Sequence, residues 1–295
     1  MKRVLTAVVL IPVVLLVVFK APLWLFALAV AGIIVLALHE YLNIAELAGA
    51  KPFQRLSYAM ALIIVYLIWD AFAGRPRQFH SYSSAEWWMP LLLGPIIFGI
   101  PLVFRKDLTL GLASAASSVF GVVYTAGSLV LLIALRSTPL QDTLLIFVLF
   151  SVWAGDIAAY YVGRGLGRHK LAPVVSPNKS WEGAIASVAA SVLIGLLVFH
   201  FHQQVDELFT HRWTFYTRLT ARTVPIFHVL ALGVLTNVAA QFGDLFESAL
   251  KRGVHLKDSG SLLPGHGGIL DRIDALLFAI PVVWYYANLT GFLRQ

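Results

Sequence analysis

The chain has 295 residues, 59% of them hydrophobic and only 13% charged, with a mean hydropathy of +0.81. A soluble domain carries about a quarter charged residues, so a soluble enzyme and a soluble nucleic-acid-binding module are both excluded. Cysteine is absent, which removes disulfides and thiolate metal sites, and the formal charge of +7 falls to topology, anionic headgroups or a phosphate-rich ligand.

The apolar residues come in long runs. A run of roughly 18 or more reads as a membrane span, whereas the strands of a membrane β-barrel would alternate apolar and polar. The expected fold is an all-α integral membrane protein, a polytopic helical bundle of about nine transmembrane helices. The predicted spans are about 4–19, 23–46, 56–73, 88–104, 110–135, 142–163, 183–201, 226–250 and 270–290. They form one polytopic membrane domain over 1–295, with N-terminal spans to about 135 and the chemistry-bearing spans and loops from about 142 to 290.

The first span follows Met1-Lys2-Arg3 and resembles a secretory signal, but Phe19-Lys20-Ala21-Pro22 is a poor cleavage site. It reads as a retained span. His39 and Glu40 in the second span and Asp70 near the end of the third could line a cavity, and a helix–helix pair or an interfacial position accounts for them at least as well. The fifth span is the least hydrophobic and carries Ser114, Ser117 and Ser118 near its start.

The sixth span carries Asp156, with Tyr160 and Gly163 at i+4 and i+7, which places a carboxylate in an apolar run. Asp156 is therefore expected to be buried and to face a polar cavity. Gly163, Gly165 and Gly167 follow a membrane helix and not a strand, so no dinucleotide fingerprint is read there. The next loop ends Ser176-Pro177-Asn178-Lys179-Ser180-Trp181-Glu182-Gly183. Pro177 and Gly183 bracket an expected short turn. Ser180 is an expected N-cap, and Glu182 lies near the positive end of the seventh span.

The eighth span ends with Asp244, Glu247, Ser248 and Lys251 at i, i+3, i+4 and i+7, on one helical face, with Arg252 beside them. Asp244 follows a long, mostly apolar stretch. It needs a polar cavity or a partner, and an ion pair with Lys251 or with another helix would supply one. The loop Gly253–Gly268 carries His255, Lys257, Asp258, Ser259, Gly260, Pro264, Gly265, His266, Gly267 and Gly268. Its glycines let backbone N–H groups approach an anion, and it opens onto the N-terminus of the last span, where an anion is favoured. Asp271, Arg272 and Asp274 stand in that first turn. Two carboxylate pairs thus bracket a loop rich in glycine and lysine. Few hard oxygen ligands suit Mg2+, and Lys251, Arg252, Lys257 and Arg272 suit phosphate oxygens, which is the equipment for phosphoryl or nucleotidyl transfer.

With the N-terminus placed in the cytoplasm, fourteen of the 22 Lys and Arg residues fall on the cytoplasmic side, as do the loops at 164–182 and 251–269.

The stretch from Ser248 to Asp274 resembles the signature of the phosphatidate cytidylyltransferases, also called CDP-diacylglycerol synthases. The match is without departure at Ser248, Lys251, Arg252, Lys257, Asp258, His266, Gly267, Gly268, Asp271, Arg272 and Asp274. The segment Ser176–Gly183 resembles a second recurrent stretch of that family. The resemblance implies transfer of CMP from CTP to phosphatidic acid, giving CDP-diacylglycerol and pyrophosphate. It implies Mg2+ on Asp244 and Asp271, a second cation such as K+ nearby, and Lys257, Asp258 and Arg272 as further catalytic groups. Substrate contacts are expected from Asp156, Ser176, Asn178, Lys179, Ser180, Glu182, Ser248, Lys251, Arg252, His266, Gly267, Gly268 and Asp274. A multi-pass protein of the inner membrane follows, with its active site facing the cytoplasm and a homodimeric assembly, and with no nucleic-acid partner.

Two other readings compete. A CTP-dependent polyprenol or phytol kinase would move the γ-phosphate to an alcohol. An ion-coupled transporter would use Asp156 and Asp244 for its ion, but the halves show no clear repeat and the phosphate-oriented loops would go unexplained.

Overall fold

The computed structural model describes residues 12–73, 93–105, 108–138, 140–202, 204–205, 224–262 and 267–291. Helices dominate: α1 (12–20), α2 (Leu23–Leu47), α3 (Gln54–Ala73), α4 (Gly94–Val103), α5 (Gly111–Val122), α6 (Leu131–Leu135), α7 (Gln141–Leu166), α8 (Trp181–His200), α9 (Ile226–Gly253) and α10 (Leu270–Leu289). A π-helical turn at Val123–Gly127 follows α5 directly. Among the described residues six helical segments are long and apolar enough to cross a membrane: α2, α3, Gly111–Leu135, Asp142–Leu166, α8 and α9. The chain is an all-α multi-pass membrane protein, and these six match the predicted spans to within about three residues at either end. The parts of the first and fourth predicted spans at 4–11 and 88–92 lie outside the described residues.

The chain divides into two units, one of Pro22–Ala134 with Leu250–Ile273 and one of Pro12–Ala21, Leu135–Ala249 and Asp274–Gln295. In the first unit α2 packs against α3 and α5. Its C-terminus closes in a Schellman motif. Ala50 N–H donates to Ala45 O and Gly49 N–H to Glu46 O, with Gly49 at φ 92°. The fifth span, expected to be the least hydrophobic, is as apolar over its best window as any other described span, and its serines have a structural use. Ser114 Oγ accepts from Lys51 N–H at 3.0 Å and Ser118 Oγ from Phe53 N–H at 2.8 Å. Both serines are buried, so they satisfy amides of the α2–α3 turn that water does not reach. Tyr41, Phe120 and Tyr124 stack beside the π turn.

In the second unit α7 lies along α8. A small apolar core of Val152, Ala240, Ala275 and Ala279 joins α7, α9 and α10. Close approach depends on missing side chains. A Cβ on Gly233 would stand 2.9 Å from the Val192 backbone, and one on Gly243 would stand 2.5 Å from Asp274 O. A buried polar ladder runs through the same helices. Asn237 Nδ2 donates to Ser187 Oγ at 3.0 Å, and Gln241 Nε2 to Asn237 Oδ1 at 2.6 Å and Ala184 O at 3.1 Å. Arg136 donates to the carbonyls of Phe19 and Ala21 and pairs with buried Asp142, so this cation has a bracing role beyond topology.

The loop between α7 and α8 differs from its expected form. Residues 176–180 are not a turn. Lys170–Ala172 (β1) pairs antiparallel with Ser176–Ser180 (β2), and the chain reverses at Pro173, Val174 and Val175. Proline at 177 is compatible with a strand that has a neighbour on one edge only.

Candidate active site

Polar side chains gather in each unit. In the second unit β2 presents Lys179 toward α9. Lys179 Nζ is 2.6 Å from Asp244 Oδ2, and the side chains are 25% and 35% exposed. Asp244 therefore has the ion pair that its burial cost demanded, but with a residue of the hairpin and not with Lys251. Ser248 Oγ lies 3.5 Å from Asp244 Oδ1, one helical turn on, as the spacing required. Asp156 of α7 lies within electrostatic reach of both Lys179 and Asp244. Asp156 is not sealed from solvent as expected, but it does stand beside this polar pair with protein packed around it. Glu247 is buried, so the adjoining carboxylates of α9 occupy different surroundings.

Ser180 caps α8. Its Oγ accepts from Gly183 N–H at 3.2 Å and its backbone is extended, with φ −127° and ψ 156°. That bond places the start of α8 directly behind Lys179. Glu182 turns to the hairpin, where its carboxylate accepts from the His169 amide at 3.2 Å and meets His169 Nδ1 at 2.7 Å. Asn178 is exposed and Ser176 half-buried on the outer strand. Of the 176–182 group, only Lys179 is brought to Asp244 by a contact the structure shows.

In the first unit the chain leaves α9 through a second Schellman motif. Leu256 N–H donates to Lys251 O and His255 N–H to Arg252 O, with His255 at φ 59°. This turn sends the loop back past Asp271. Asp271 Oδ2 accepts from Ser259 N–H at 2.9 Å, Ser259 Oγ at 3.0 Å and Gly268 N–H at 2.8 Å, while Oδ1 receives Lys251 Nζ. Lys251 and Asp271 side chains are 10% and 5% exposed. Gly267 adopts φ 80°, and a Cβ there would press on Asp271 Oδ2 at 2.6 Å, so both conformation and space require glycine. Arg252 donates to Leu256 O, and Arg252, Lys257, Asp258 and Arg272 are all exposed. His266 lies outside the described residues. Asp274, in the second unit, accepts from Ala275 N–H at 2.7 Å.

One participant was not anticipated. Glu40 of α2 is 5% exposed and accepts from Ser259 Oγ at 2.7 Å, Ile269 N–H at 2.9 Å and Leu270 N–H at 2.8 Å. A carboxylate in an apolar run with no cation at helical spacing was the available signal. Its partners are backbone amides more than two hundred residues away, which no local pattern displays.

Among the described residues no three His, Cys, Asp or Glu side chains assemble into a ready metal cage. Mg2+ needs less, since it keeps waters and takes one or two carboxylates together with substrate phosphates. The donor sets fit it. Asp271 is a carboxylate with hard oxygens, held in place by Ser259, Gly268 and Lys251. Asp244 is a third exposed and offers a hard oxygen beside a cation.

Residues 1–290 match the cytidylyltransferase family. The phosphatidate cytidylyltransferase of Haemophilus influenzae is 34% identical over 298 aligned residues, covering 97% of each chain. That of Brucella suis is 34% identical over 259, covering 81% of this chain and 85% of its own. That of Staphylococcus epidermidis is 31% identical over 287, covering 95% and 96%. With the match running through α2, the hairpin and both carboxylate clusters, the chain belongs to the cytidylyltransferase family.

Proposed function

We propose that this chain is a phosphatidate cytidylyltransferase, which joins CTP and phosphatidic acid to give CDP-diacylglycerol and pyrophosphate. The observation that carries the reading is the full-length relation to enzymes of that name, together with anionic groups each neutralised by a lysine: Asp244 by Lys179 and Asp271 by Lys251. Carboxylates that would hold a metal and lysines that would bind phosphate oxygens are parts that nucleotidyl transfer uses.

Asp244 and Asp271 are the carboxylates that would hold Mg2+, which when bound neutralises triphosphate charge; a second cation such as K+ belongs beside it. The remaining work falls to side chains. Lys179 binds and orients a triphosphate oxygen. Arg252, Lys257 and Arg272 are exposed cations that attract and align the two anions, with Asp258 beside them. A phosphatidic acid oxygen bonds to the α-phosphorus of CTP as the α–β anhydride bond breaks and pyrophosphate departs with that electron pair. The second pKa of a phosphate monoester is about 6, so this nucleophile is already ionised at neutral pH and needs no strong general base. Ser176, Asn178, Ser180, Glu182, Ser248, His266, Gly267, Gly268, Asp274 and Asp156 remain proposed substrate contacts, with Ser180 and Glu182 acting through the hairpin and the α8 cap.

We read the enzyme as an inner-membrane protein with these groups at the cytoplasmic face, an orientation the Lys and Arg bias supports, and as a homodimer, as the family resemblance implies. The test is the purified chain with CTP labelled at α or γ, phosphatidic acid and Mg2+. The α label should enter the lipid and the γ label pyrophosphate. A lipid carrying the γ label, with CDP released, would instead establish a lipid kinase.

A further inference from the structure

Glu40 is an acidic side chain in a membrane helix, almost fully enclosed, and every partner the structure gives it is a hydrogen-bond donor of the 259–270 segment. Such a group is costly to bury and is expected to have a use. Its two oxygens divide the work. Oε1 takes Ile269 N–H, and Oε2 takes Leu270 N–H and the Ser259 hydroxyl. The first two bonds cap the N-terminus of α10, where negative charge is favoured. The third fixes the residue whose amide and hydroxyl both lie on Asp271.

The surrounding sequence is cut to fit. A Cβ on Gly260 would stand 2.6 Å from Glu40 Oε1, and one on Gly268 would run into both Glu40 Oε2 and Ser259 Oγ. Two glycines thus sheathe one carboxylate. Ser259 lies between Glu40 and Asp271, with a single hydroxyl proton for two acceptors.

We propose that Glu40 is a positioning residue of the transfer reaction: through Ser259 and the α10 N-terminus it holds Asp271 in the orientation that receives Mg2+. This rests on the reading of Asp271 as a metal carboxylate. Partners of this kind, one shell out from a ligand, typically change metal affinity or activity by about 10–100-fold when altered.

The test compares E40Q, S259A, the double variant and D271N, each purified and checked by thermal melting. For each, turnover is followed against Mg2+ and against CTP. Gln cannot accept at both ends, so one end of E40Q opposes a donor to a donor. The expected result is a rise of about tenfold or more in the Mg2+ needed for half-maximal rate, with melting near that of the parent. S259A should shift it in the same direction by less, and the double variant should be no worse than E40Q. Folded E40Q and S259A with the parent's Mg2+ dependence would overturn the proposal, as would a loss of rate that only follows loss of folded protein. If E40Q does not fold, S259A decides alone: a shifted Mg2+ requirement supports the relay, and an unchanged one ends it. D271N separates the underlying reading. Normal turnover there removes the metal assignment itself, whereas a dead D271N beside an unaffected E40Q removes only the role of Glu40.

Discussion

Lys179 Nζ is 2.6 Å from Asp244 Oδ2, and the two side chains come from a β-hairpin and a membrane helix of the same unit. The two side chains are partly exposed, while the Lys179 ammonium nitrogen itself is turned inward, away from solvent. Asp244 is the proposed Mg2+ carboxylate and Lys179 the proposed partner of a triphosphate oxygen, so both would serve the substrate once the pair opens.

Replacing Lys179 by Met should therefore raise the CTP KM. A hydrogen bond to a charged group contributes about 1.5–3 kcal/mol, which is about 10–100-fold. Removing the lysine also leaves Asp156 and Asp244 facing the triphosphate with less neutralisation. Initial rates against CTP measure this. K179R should recover only part, since a planar guanidinium does not reproduce a compact ammonium. A K179M variant with the parent's KM would remove Lys179 from the substrate site.

Gly243 adjoins Asp244 and has no room for a side chain, because a Cβ would meet Asp274 O at 2.5 Å. The obstacle is backbone and cannot rotate away. G243A should cost about 1–3 kcal/mol and should lower turnover more than it lowers the amount of folded protein, since it shifts the residue next to Asp244. Detergent melting and specific activity per folded protein report the two effects separately.

The two Schellman turns invite a comparison. Gly49 occupies the left-handed position in one, and His255 does so in the other at φ 59°. A left-handed non-glycine residue costs roughly 1–2 kcal/mol, and glycine's greater unfolded entropy returns part of that. H255G should stabilise the protein by about 0.5–1 kcal/mol, raising the melting temperature by about 1–3 °C. A lower melting temperature would show that the imidazole makes a compensating contact.

Hydropathy located the spans because an apolar run has few ways to satisfy its backbone in lipid other than a helix. Ser180 was legible as a cap because capping is local, and the face shared by Asp244 and Ser248 because helical spacing is periodic. The β1–β2 hairpin was not legible. Its Pro-Asn-Lys-Ser composition signals a turn, and the pairing depends on His169–Ala172 folding back across it. Asp156 was expected to be sealed because its neighbours in sequence are apolar, yet it keeps solvent access beside Lys179 and Asp244, residues that only the fold brings to it. For Glu40 the sequence leaves a cavity, a helix–helix pair and an interfacial position open, and its partners are distant amides of a glycine-rich loop. Ser114 and Ser118 show the same limit, since their partners are unsatisfied amides of another turn.

The most direct test is D244N assayed as purified protein with α-labelled CTP, phosphatidic acid and Mg2+. Asn preserves the shape of α9 and removes the charge that pairs with Lys179. The account predicts a folded protein whose melting stays close to the parent's and whose transfer of label to lipid is abolished at every Mg2+ concentration. Transfer at the parent's rate would contradict it.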